Sequence, residues 1–390
     1  MNFSLESMNS LVSSLPGGDI LWMAIMFIIV LSILVFFHEL GHYLAARSVG
    51  VRVNTFSIGF GKELFGWNDK HGTRWKVSLV PLGGYVQMLG MDEVEEVTEK
   101  NKEESFSEKG VWQRIWVVFA GPLANFILAV VFLIGLMLSG EEVLKPHVGE
   151  VIADSAAEAA GIQEGDLFLT MAGEGIISWE GVVKSIAQSE GKPFEVTVER
   201  NSMPVTLMVS PKIEKRTNLM GEEVIIPFLG VSPSGDMTVV EHSFSEAVAL
   251  GFTKTYDITN RILEGIGKII TGSISAKNVG GPVMIAEVAG QAGSQGWYPL
   301  IMFMVIISIN LGLINLFPIP VLDGGHLLFY FIEAVRGKPL GEKAQEYGFR
   351  IGYGLIMMLM FLAISNDILR VVDKVRTDKD EVSLEAPIKE

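Results

Sequence analysis

The sequence predicts a polytopic α-helical membrane protein with about four transmembrane helices, a membrane-associated β-hairpin loop and an α+β domain inserted on the extracytoplasmic side. Hydrophobic residues make up 49% of the 390 residues, which is typical of an integral membrane protein with a soluble part. Four apolar segments reach or approach the length that spans a bilayer. Residues 145–235 have instead the turns and alternation of a small globular domain.

The first apolar segment, residues 20–46, contains the motif His38-Glu39-Leu40-Gly41-His42. Residues four apart lie on one face of a helix, so His38 and His42 can bind one metal ion. Glu39 is rotated by about 100° from His38, close enough to act on a water molecule without being a ligand. The alternative is two core histidines and a Glu39 paired with a basic residue. Ionisable groups are costly in hydrocarbon unless they are functional, which favours metal binding.

Composition excludes several classes of site and partner. The chain has no cysteine, so it has neither disulfides nor a thiolate zinc site. Its formal net charge of -15 argues against nucleic acid as a partner. Acidic residues concentrate in residues 92–108, and residues 367–390 are mixed in charge. We expect a solvated loop and a polar tail there.

Charge also predicts the orientation in the membrane. The first basic residue is Arg47, so no secretory signal peptide is expected. Basic residues follow the first span, which places residues 47–113 in the cytoplasm and the N-terminus outside. The later spans are predicted at residues 114–139, 298–323 and 348–366. Their parity places the intervening domain outside and the loop between spans three and four inside.

The connections between spans have predicted structures of their own. Alternation and turn residues in 51–86 predict β-hairpins, which either form a soluble loop or dip into the membrane beside the motif. Residues 241–297 contain one or two amphipathic helices and a linker. These helices lie along the membrane surface, pack on the inserted domain or simply connect the domains.

A hydrolytic zinc site needs a third protein ligand. Asp323, at the end of the third span, is the candidate because parity places it at the same depth as His38. A helix cap is the alternative role for Asp323, and His326 is an alternative ligand or supporting group. Asn315 is a polar residue near membrane depth, which by default indicates function. Asn125 either donates a hydrogen bond to the site or belongs to a close helix contact.

Taken together, these motifs resemble the site-2 protease family of intramembrane zinc metalloproteases. Four signatures occur in order. They are the His38–His42 motif, Gly83-Gly84-Tyr85-Val86, Gly121-Pro122-Leu123-Ala124-Asn125, and Asn315 to Gly325 with its Leu-Asp-Gly core. The phrase from Ser155 to Asp166 is similar to a bacterial protease-associated PDZ domain. Enterobacterial members of the family carry two tandem PDZ domains, whereas this chain contains one.

The resemblance implies that His38, His42 and Asp323 bind zinc and that Glu39 is the general base. It also implies that Asn315 and the hairpin hold an unwound substrate segment. Asn125, Gly83 and Gly84 are further candidate substrate-binding residues. The expected reaction is peptide hydrolysis within transmembrane segments of single-span proteins, such as an anti-sigma factor or remnant signal peptides, in the bacterial inner membrane. A peptide or C-terminus is the expected partner of the PDZ groove.

Two other functions are compatible with the motifs. One is a membrane-bound HExxH protease whose third ligand is a glutamate on a later helix. The other is a non-catalytic PDZ scaffold that holds zinc for structural reasons. Asp323 distinguishes the first alternative. Glu39 distinguishes the second, because a scaffold needs no general base beside its metal.

Overall fold

The computed structural model describes residues 4–91, 98, 99, 101–217 and 223–384. Its helices are α1 Leu5–Ser13, α2 Gly18–Ser48, α3 Val111–Leu138, α4 Ala156–Ala160, α5 Trp179–Gln188, α6 Phe244–Ile270, α7 Pro282–Ser294, α8 Trp297–Leu316, α9 Asp323–Arg336 and α10 Glu342–Leu384. Its strands are β1 Val53–Asn68, β2 Arg74–Met88, β3 Glu141–Leu144, β4 Val148–Val151, β5 Leu167–Met171, β6 Glu174–Gly175, β7 Phe194–Arg200, β8 Met203–Val209, β9 Lys212–Thr217, β10 Glu223–Phe228, β11 Val231–Pro233 and β12 Met237–Val240.

The chain divides into two compact units. The membrane unit comprises residues 1–134, 248–266 and 275–390, and the inserted unit comprises residues 135–247 and 267–274. Four helices are long and apolar enough to cross a bilayer: α2, α3, α8 and the Glu342–Asp373 part of α10. The prediction of four long apolar helices is therefore confirmed. Helices that are apolar all round belong in hydrocarbon or a core, because they have no polar face for water.

Helix α2 packs on α7 along one stripe of its surface. Trp22, Met26 and Val30 follow one another at a spacing of four and are almost fully buried. The indole N–H of Trp22 donates a hydrogen bond of 3.0 Å to the carbonyl of Gly290 on α7. A Cβ on Gly290 would overlap the side chain of Met23, so glycine there allows the two helices to approach closely.

After α2, the strands β1 and β2 are long and bent, and each contributes two segments to one four-segment sheet. Residues 53–60 of β1 pair with residues 80–88 on one side and with residues 74–77 on the other. Residues 63–68 then pair with the far side of residues 74–78. The prediction of hairpins is confirmed, and the bend adds a consequence that the sequence did not show. Segment 84–88 is one edge of the sheet and segment 63–68 is the other.

Asp69, in the turn between β1 and β2, fastens this sheet to α2. Its Oδ2 accepts hydrogen bonds from the Tyr43 hydroxyl (2.9 Å) and the Trp75 indole (3.0 Å). Its Oδ1 accepts from the backbone N–H groups of His71 (2.8 Å) and Thr73 (2.9 Å). Partial burial raises the pKa of Asp69, but these four donors outweigh it and hold the pKa at about 2.

The third span ends earlier than predicted. We expected a helix over residues 298–323, closed by Asp323, but α8 ends at Leu316 and Asp323 instead begins α9. Pro318 and Pro320 lie in the intervening loop, where neither supplies the backbone N–H that continues a helix. Asp323 is thus held on a separate helix.

The fourth helix is longer than predicted. We expected a span over residues 348–366 and a polar tail over 367–390, but α10 continues to Leu384. Charged residues with high helix propensity extend an existing helix without a new nucleation cost. The last six residues of the predicted tail lie outside the described residues, as do positions 92–97 and 100 of the predicted acidic loop.

Helix α6 is the amphipathic helix expected between the inserted domain and the third span. Within the membrane unit, its Ile258 and Ile262 pack against a buried cluster that contains Leu133 of α3 and Ile309 of α8. The expectations of a helix along the membrane surface or on the inserted domain did not include this contact. The apolar stripe thus covers two of the long apolar helices.

The inserted unit is a small α+β assembly. Its largest sheet has the strand order β6-β5-β7-β8, and the pairs β4–β11, β3–β12 and β9–β10 are separate. Helix α5 and the hairpin of β7 and β8 follow one another along the chain. Asp166 is fully buried, and the guanidinium of Arg200 donates to it at 2.7 and 2.8 Å. Loss of Arg200 would leave the buried carboxylate of Asp166 without its counter-charge, which is strongly destabilising.

We expect Asp69→Asn to loosen the sheet from α2, because the new amide N–H₂ would face the Trp75 indole donor. The measurement is trypsin cleavage after Lys70, which should become severalfold faster. Asp19→Asn, the same change at an exposed carboxylate, is the matched control.

The low folded pKa of Asp69 also fixes the pH dependence. Its contribution is complete above the unfolded pKa of about 4 and is lost as the pH falls through about 2. Protection of the wild-type turn should therefore not vary between pH 6 and 9. Equal cleavage of both variants and the wild type would show that Asp69 does not fasten the sheet.

Candidate metal centre

Three side chains from two helices converge on one point. Nε2 of His38 and Nε2 of His42 are 3.3 Å apart. The Oδ2 atom of Asp323 is 3.2 Å from the first nitrogen and 3.4 Å from the second. Two ligands of a tetrahedral zinc ion with bonds of about 2.0–2.1 Å are about 3.3–3.4 Å apart. The three atoms therefore form one face of a zinc tetrahedron, and the donor set fits the metal.

The hydrogen bond behind His42 sets its tautomer. Nδ1 of His42 lies 2.9 Å from the backbone carbonyl of Val117 on α3. A carbonyl only accepts, so Nδ1 carries the proton and donates it. The Nε2 lone pair is then free to bind a metal, as in most histidine metal sites.

Asn125 lies behind His38 and takes the corresponding position. Its side chain is fully buried, and its amide nitrogen is 3.1 Å from Nδ1 of His38. Its amide oxygen has no hydrogen-bond partner among the described residues. With the amide turned over, its oxygen would accept from Nδ1–H of His38. That orientation also leaves Nε2 of His38 for the metal.

Glycines allow α3 to approach the histidines so closely. A Cβ on Gly121 would overlap the His42 ring, and a Cβ on Gly41 would overlap the carbonyl of Ala120. Pro122 lies inside α3 and lacks an N–H, so the helix backbone is locally interrupted beside the site. On the other side of α3, the Ser308 hydroxyl of α8 donates to the Asn125 carbonyl (2.8 Å). These contacts fix the position of Asn125.

The loop before α9 places Asp323. Val321 has a φ of 97°, an unfavourable conformation for a β-branched residue. Gly324 and Gly325 follow Asp323, and a Cβ on either would overlap the backbone of the loop. The glycines therefore let α9 fold back tightly on residues 316–320. The Leu-Asp-Gly-Gly sequence is explained by this packing.

Glu39 is outside the ligand triangle and faces the sheet. Gly84 and Val86 of the edge segment lie beside it. A Cβ on Gly84 would lie 3.2 Å from Cγ of Glu39, so glycine lets the edge segment 84–88 approach it. A cavity of about 220 Å³ lies between them and is lined by Glu39, the three converging side chains and Asn315. Water and a peptide backbone would both find polar partners there.

The structure assigns different positions to the remaining candidates. The amide nitrogen of Asn315 is 3.5 Å from Nε2 of His38, so it borders the ligand triangle. Asn125 contacts the rear of His38 and does not line the cavity, unlike a substrate-binding residue. Gly84 lines the cavity, whereas Gly83 has a φ of 127° and lies against the Phe60 ring. His326 lines a neighbouring cavity and is not part of the triangle.

One group that sequence reasoning missed is a backbone atom. The Val117 carbonyl holds His42. Every residue has a backbone carbonyl, so no sequence pattern identifies this one. Gly121 was the available signal, because it marks a close backbone approach.

We expect Asn125→Leu to weaken zinc binding about 10- to 100-fold, because His38 Nδ1–H would lose its acceptor. Asn125→Asp keeps an acceptor oxygen at the same place and should retain affinity. Competition of each variant with a chromophoric chelator measures the effect without relying on activity. Wild-type affinity in Asn125→Leu would contradict the assigned role.

Comparison with known proteins identifies the family. The chain matches Peptidase family M50 over residues 26–359. It is 41% identical to an Agrobacterium fabrum protein, covering 89% of this chain and 95% of that one. It is 40% identical to a Brucella suis protein, covering 88% and 94%. Both relatives carry the name "Putative zinc metalloprotease".

A third relative of the same name shows where the chain lengths differ. The Pasteurella multocida protein is 33% identical, with 90% of this chain and 99% of that protein covered, over 451 aligned positions. Since 90% of 390 residues is about 351, roughly 100 aligned positions have no counterpart in this chain. The match over residues 26–359 includes all three residues of the ligand triangle. The chain belongs to peptidase family M50 and is a zinc metalloprotease.

Proposed function

We propose that this protein is an intramembrane protease that cleaves peptide bonds within transmembrane segments of single-span membrane proteins. The observation that carries the proposal is the depth of the site. His38 and His42 lie about 9–15 Å inside the end of α2, directly after residues 20–37, which are apolar apart from one serine. A hydrolytic site at that depth meets bonds that lie inside the bilayer. A protease of soluble substrates has no reason to pay the cost of burying ionisable groups there.

In this proposal, His38, His42 and Asp323 hold the zinc ion. Bound zinc lowers the pKa of water towards about 7 and polarises the scissile carbonyl. Glu39 takes one proton from the attacking water while the water oxygen forms a bond to the carbonyl carbon. It then gives that proton to the amide nitrogen as the carbon–nitrogen bond breaks, which yields one carboxylate and one amine. Asn315, at the border of the triangle, donates to the carbonyl oxygen.

The sheet edge holds the substrate. A transmembrane helix satisfies its own amides, so it must unwind before a peptide bond is accessible. Segment 84–88 is an edge that borders the catalytic cavity, and an unwound peptide can add to it as a further strand. The outer part of the sheet exposes large apolar side chains, with Leu64, Phe65 and Leu79 each about 60% exposed. Such a surface suits contact with lipid.

Charge supports a location in the bacterial inner membrane. Positive residues cluster in the loop after α2 and around α9, which the positive-inside rule assigns to the cytoplasm. The N-terminus and the inserted unit are then periplasmic. Proteolysis inside the membrane can in this way release a cytoplasmic fragment in response to an extracytoplasmic event, as in cleavage of an anti-sigma factor during a stress response. Remnant signal peptides are substrates of the same chemical class.

The inserted unit is, in this proposal, one PDZ-like domain that binds a peptide or C-terminus. Phe228-Leu229-Gly230-Val231 forms a turn between β10 and β11, with Gly230 at a φ of 89°. The carbonyls of Leu229 and Gly230 accept from the backbone of Ala157 and Ile152. β11 pairs with β4 on one side, and among described residues no strand pairs with its other side. A peptide can add there.

The single domain distinguishes this chain from members of the regulator-of-sigma-E type with two tandem PDZ domains. The additional segment of roughly 100 residues in the Pasteurella multocida relative is the size of one such domain. The proposal therefore does not include a substrate filter that requires two stacked PDZ domains. It assigns substrate selection to the groove of one domain.

The catalytic roles are tested with a single-span model substrate in liposomes. We expect Glu39→Gln to keep zinc and lose at least 100-fold in kcat/KM, because an amide cannot accept the water proton. Asp323→Ala should lose both zinc and cleavage, because a ligand is missing. Zinc content is measured on each variant alongside cleavage.

Other results would redirect the interpretation. Retained zinc and activity in Asp323→Ala would favour a protease with another third ligand. Zinc without cleavage in the wild type, on intact and on pre-trimmed substrate, would favour a zinc-holding PDZ scaffold.

The role of the sheet edge has its own test. Val86→Pro removes a backbone N–H from the edge segment beside the cavity, so cleavage should fall about tenfold or more. Leu64→Pro, on the opposite edge of the same sheet, is the matched control and should be nearly silent. Unchanged cleavage in Val86→Pro would remove strand addition from the mechanism.

A further inference from the structure

A second cavity lies beside the catalytic one in the membrane unit. It has a volume of about 320 Å³, and its lining includes Met91, Arg114, His326, Tyr330, Glu333 and Phe349. We call it the His326 cavity. Nothing in the hydrolytic mechanism uses these residues, apart from Met91, which also lines the catalytic cavity. The two cavities are thus neighbours.

Two elements lead from the catalytic cavity into the His326 cavity. The edge segment ends at Met88, which lines the first, and a turn then brings Gly90 and Met91 to the second. Helix α9 begins with Asp323 in the first and presents His326, one turn later on the same face, to the second. A peptide that continues along the edge past Met88 therefore reaches the His326 cavity.

The walls of the cavity are aromatic. Phe349 packs against the His326 ring at 5.5 Å and against Phe329 at 5.7 Å, while Phe106 meets Tyr330 at 6.2 Å. Such walls suit a flat apolar side chain, because aromatic pairs add specific geometry to the area they bury. A volume of about 320 Å³ leaves room for the largest side chains.

The two charged groups that line the cavity are paired with each other. Arg114 donates to Glu333 at 2.6 Å and lies 4.8 Å from the centre of the Tyr330 ring. This pair is largely buried and neutral as a whole, so the cavity has no net charge with which to select a charged side chain. Within the described part of the chain, neither ring nitrogen of His326 has a hydrogen-bond partner. An occupant with one donor would satisfy it.

We propose that the His326 cavity is a specificity pocket for a tryptophan or tyrosine of the substrate. The inference rests on the proposed intramembrane proteolysis. Both side chains combine a flat apolar ring with one N–H or O–H donor, which matches the aromatic walls and the unpartnered imidazole. Both are also enriched where a single-span protein meets the membrane surface. Val86 lines the catalytic cavity and Gly90 lines the His326 cavity, four residues further along the chain. An extended peptide beside this segment therefore reaches the pocket about three to five residues from the scissile bond, on its cytoplasmic side.

Binding of an aromatic residue in the pocket therefore determines which peptide bond of the substrate is cleaved. An interfacial aromatic residue seated beside His326 places a bond three to five residues deeper in the membrane against Glu39. Phenylalanine contacts the aromatic walls without donating a hydrogen bond to His326, so its substrates should be cleaved less efficiently than those with tryptophan or tyrosine. Alanine leaves the pocket empty and ranks last.

The test uses the full-length protein in liposomes and a single-span substrate of mapped cleavage site. Each position from two to six residues on the cytoplasmic side is set in turn to alanine, phenylalanine, tyrosine or tryptophan. At one position, tryptophan or tyrosine should raise kcat/KM about tenfold or more over alanine. His326→Phe should remove the advantage of tyrosine over phenylalanine and leave alanine substrates unchanged.

A second variant tests the pocket by filling it. Leu340→Trp adds volume at the cavity wall and should reduce cleavage of tryptophan substrates to the level of alanine substrates. Val335→Trp, on the exposed face of α9, is the matched control. Cleavage that is independent of the side chain at every position would overturn the pocket and leave the protease standing. Equal losses on all substrates in Leu340→Trp would also overturn it, whereas a wild type that cuts no substrate would instead overturn the proposed function.

Discussion

The structure depends on one constraint, which is that every polar group placed at membrane depth must be satisfied by the protein itself. His38 and His42 lie about 9–15 Å inside the end of α2, so the protein supplies their polar partners. Their rear nitrogens face Asn125 and the Val117 carbonyl of α3, and their front nitrogens face Asp323. The close approach of α3 at Gly121, the interruption at Pro122 and the fold-back of α9 all serve this arrangement.

The sequence predicted the part of the site that lies in side chains with unusual positions. Two histidines four residues apart inside an apolar segment indicate a functional site, because burying ionisable side chains there is costly and brings no structural benefit. Asp323 could be selected as the third ligand because the predicted topology places it at the same depth as His38. The four long apolar helices followed from length and hydrophobicity alone. In each case a local pattern carried the information.

The remainder depends on backbone geometry and tertiary contact. Two proline-containing turns in residues 317–322 separate α8 from α9. The prolines alone did not predict this break, because prolines also occur inside helices, as Pro122 does in α3. The four-segment sheet arises from a bend in β1 near Phe60, and alternation of apolar residues predicts strands without predicting their partners. The stripe of α6 predicted a buried face correctly, but a stripe does not name the surface that covers it.

Under the proposed function, the same constraint explains why a sheet lies beside the metal site. A substrate helix that unwinds would expose amide groups that hydrocarbon cannot satisfy, at a cost of several kcal/mol for each group. The edge segment 84–88 offers donors and acceptors at the place where that cost would arise, and Gly84 lets it approach Glu39. The enzyme would then need no separate source of energy to hold the substrate open. It would replace the hydrogen bonds of a helix by those of a strand, next to the carboxylate that moves the proton.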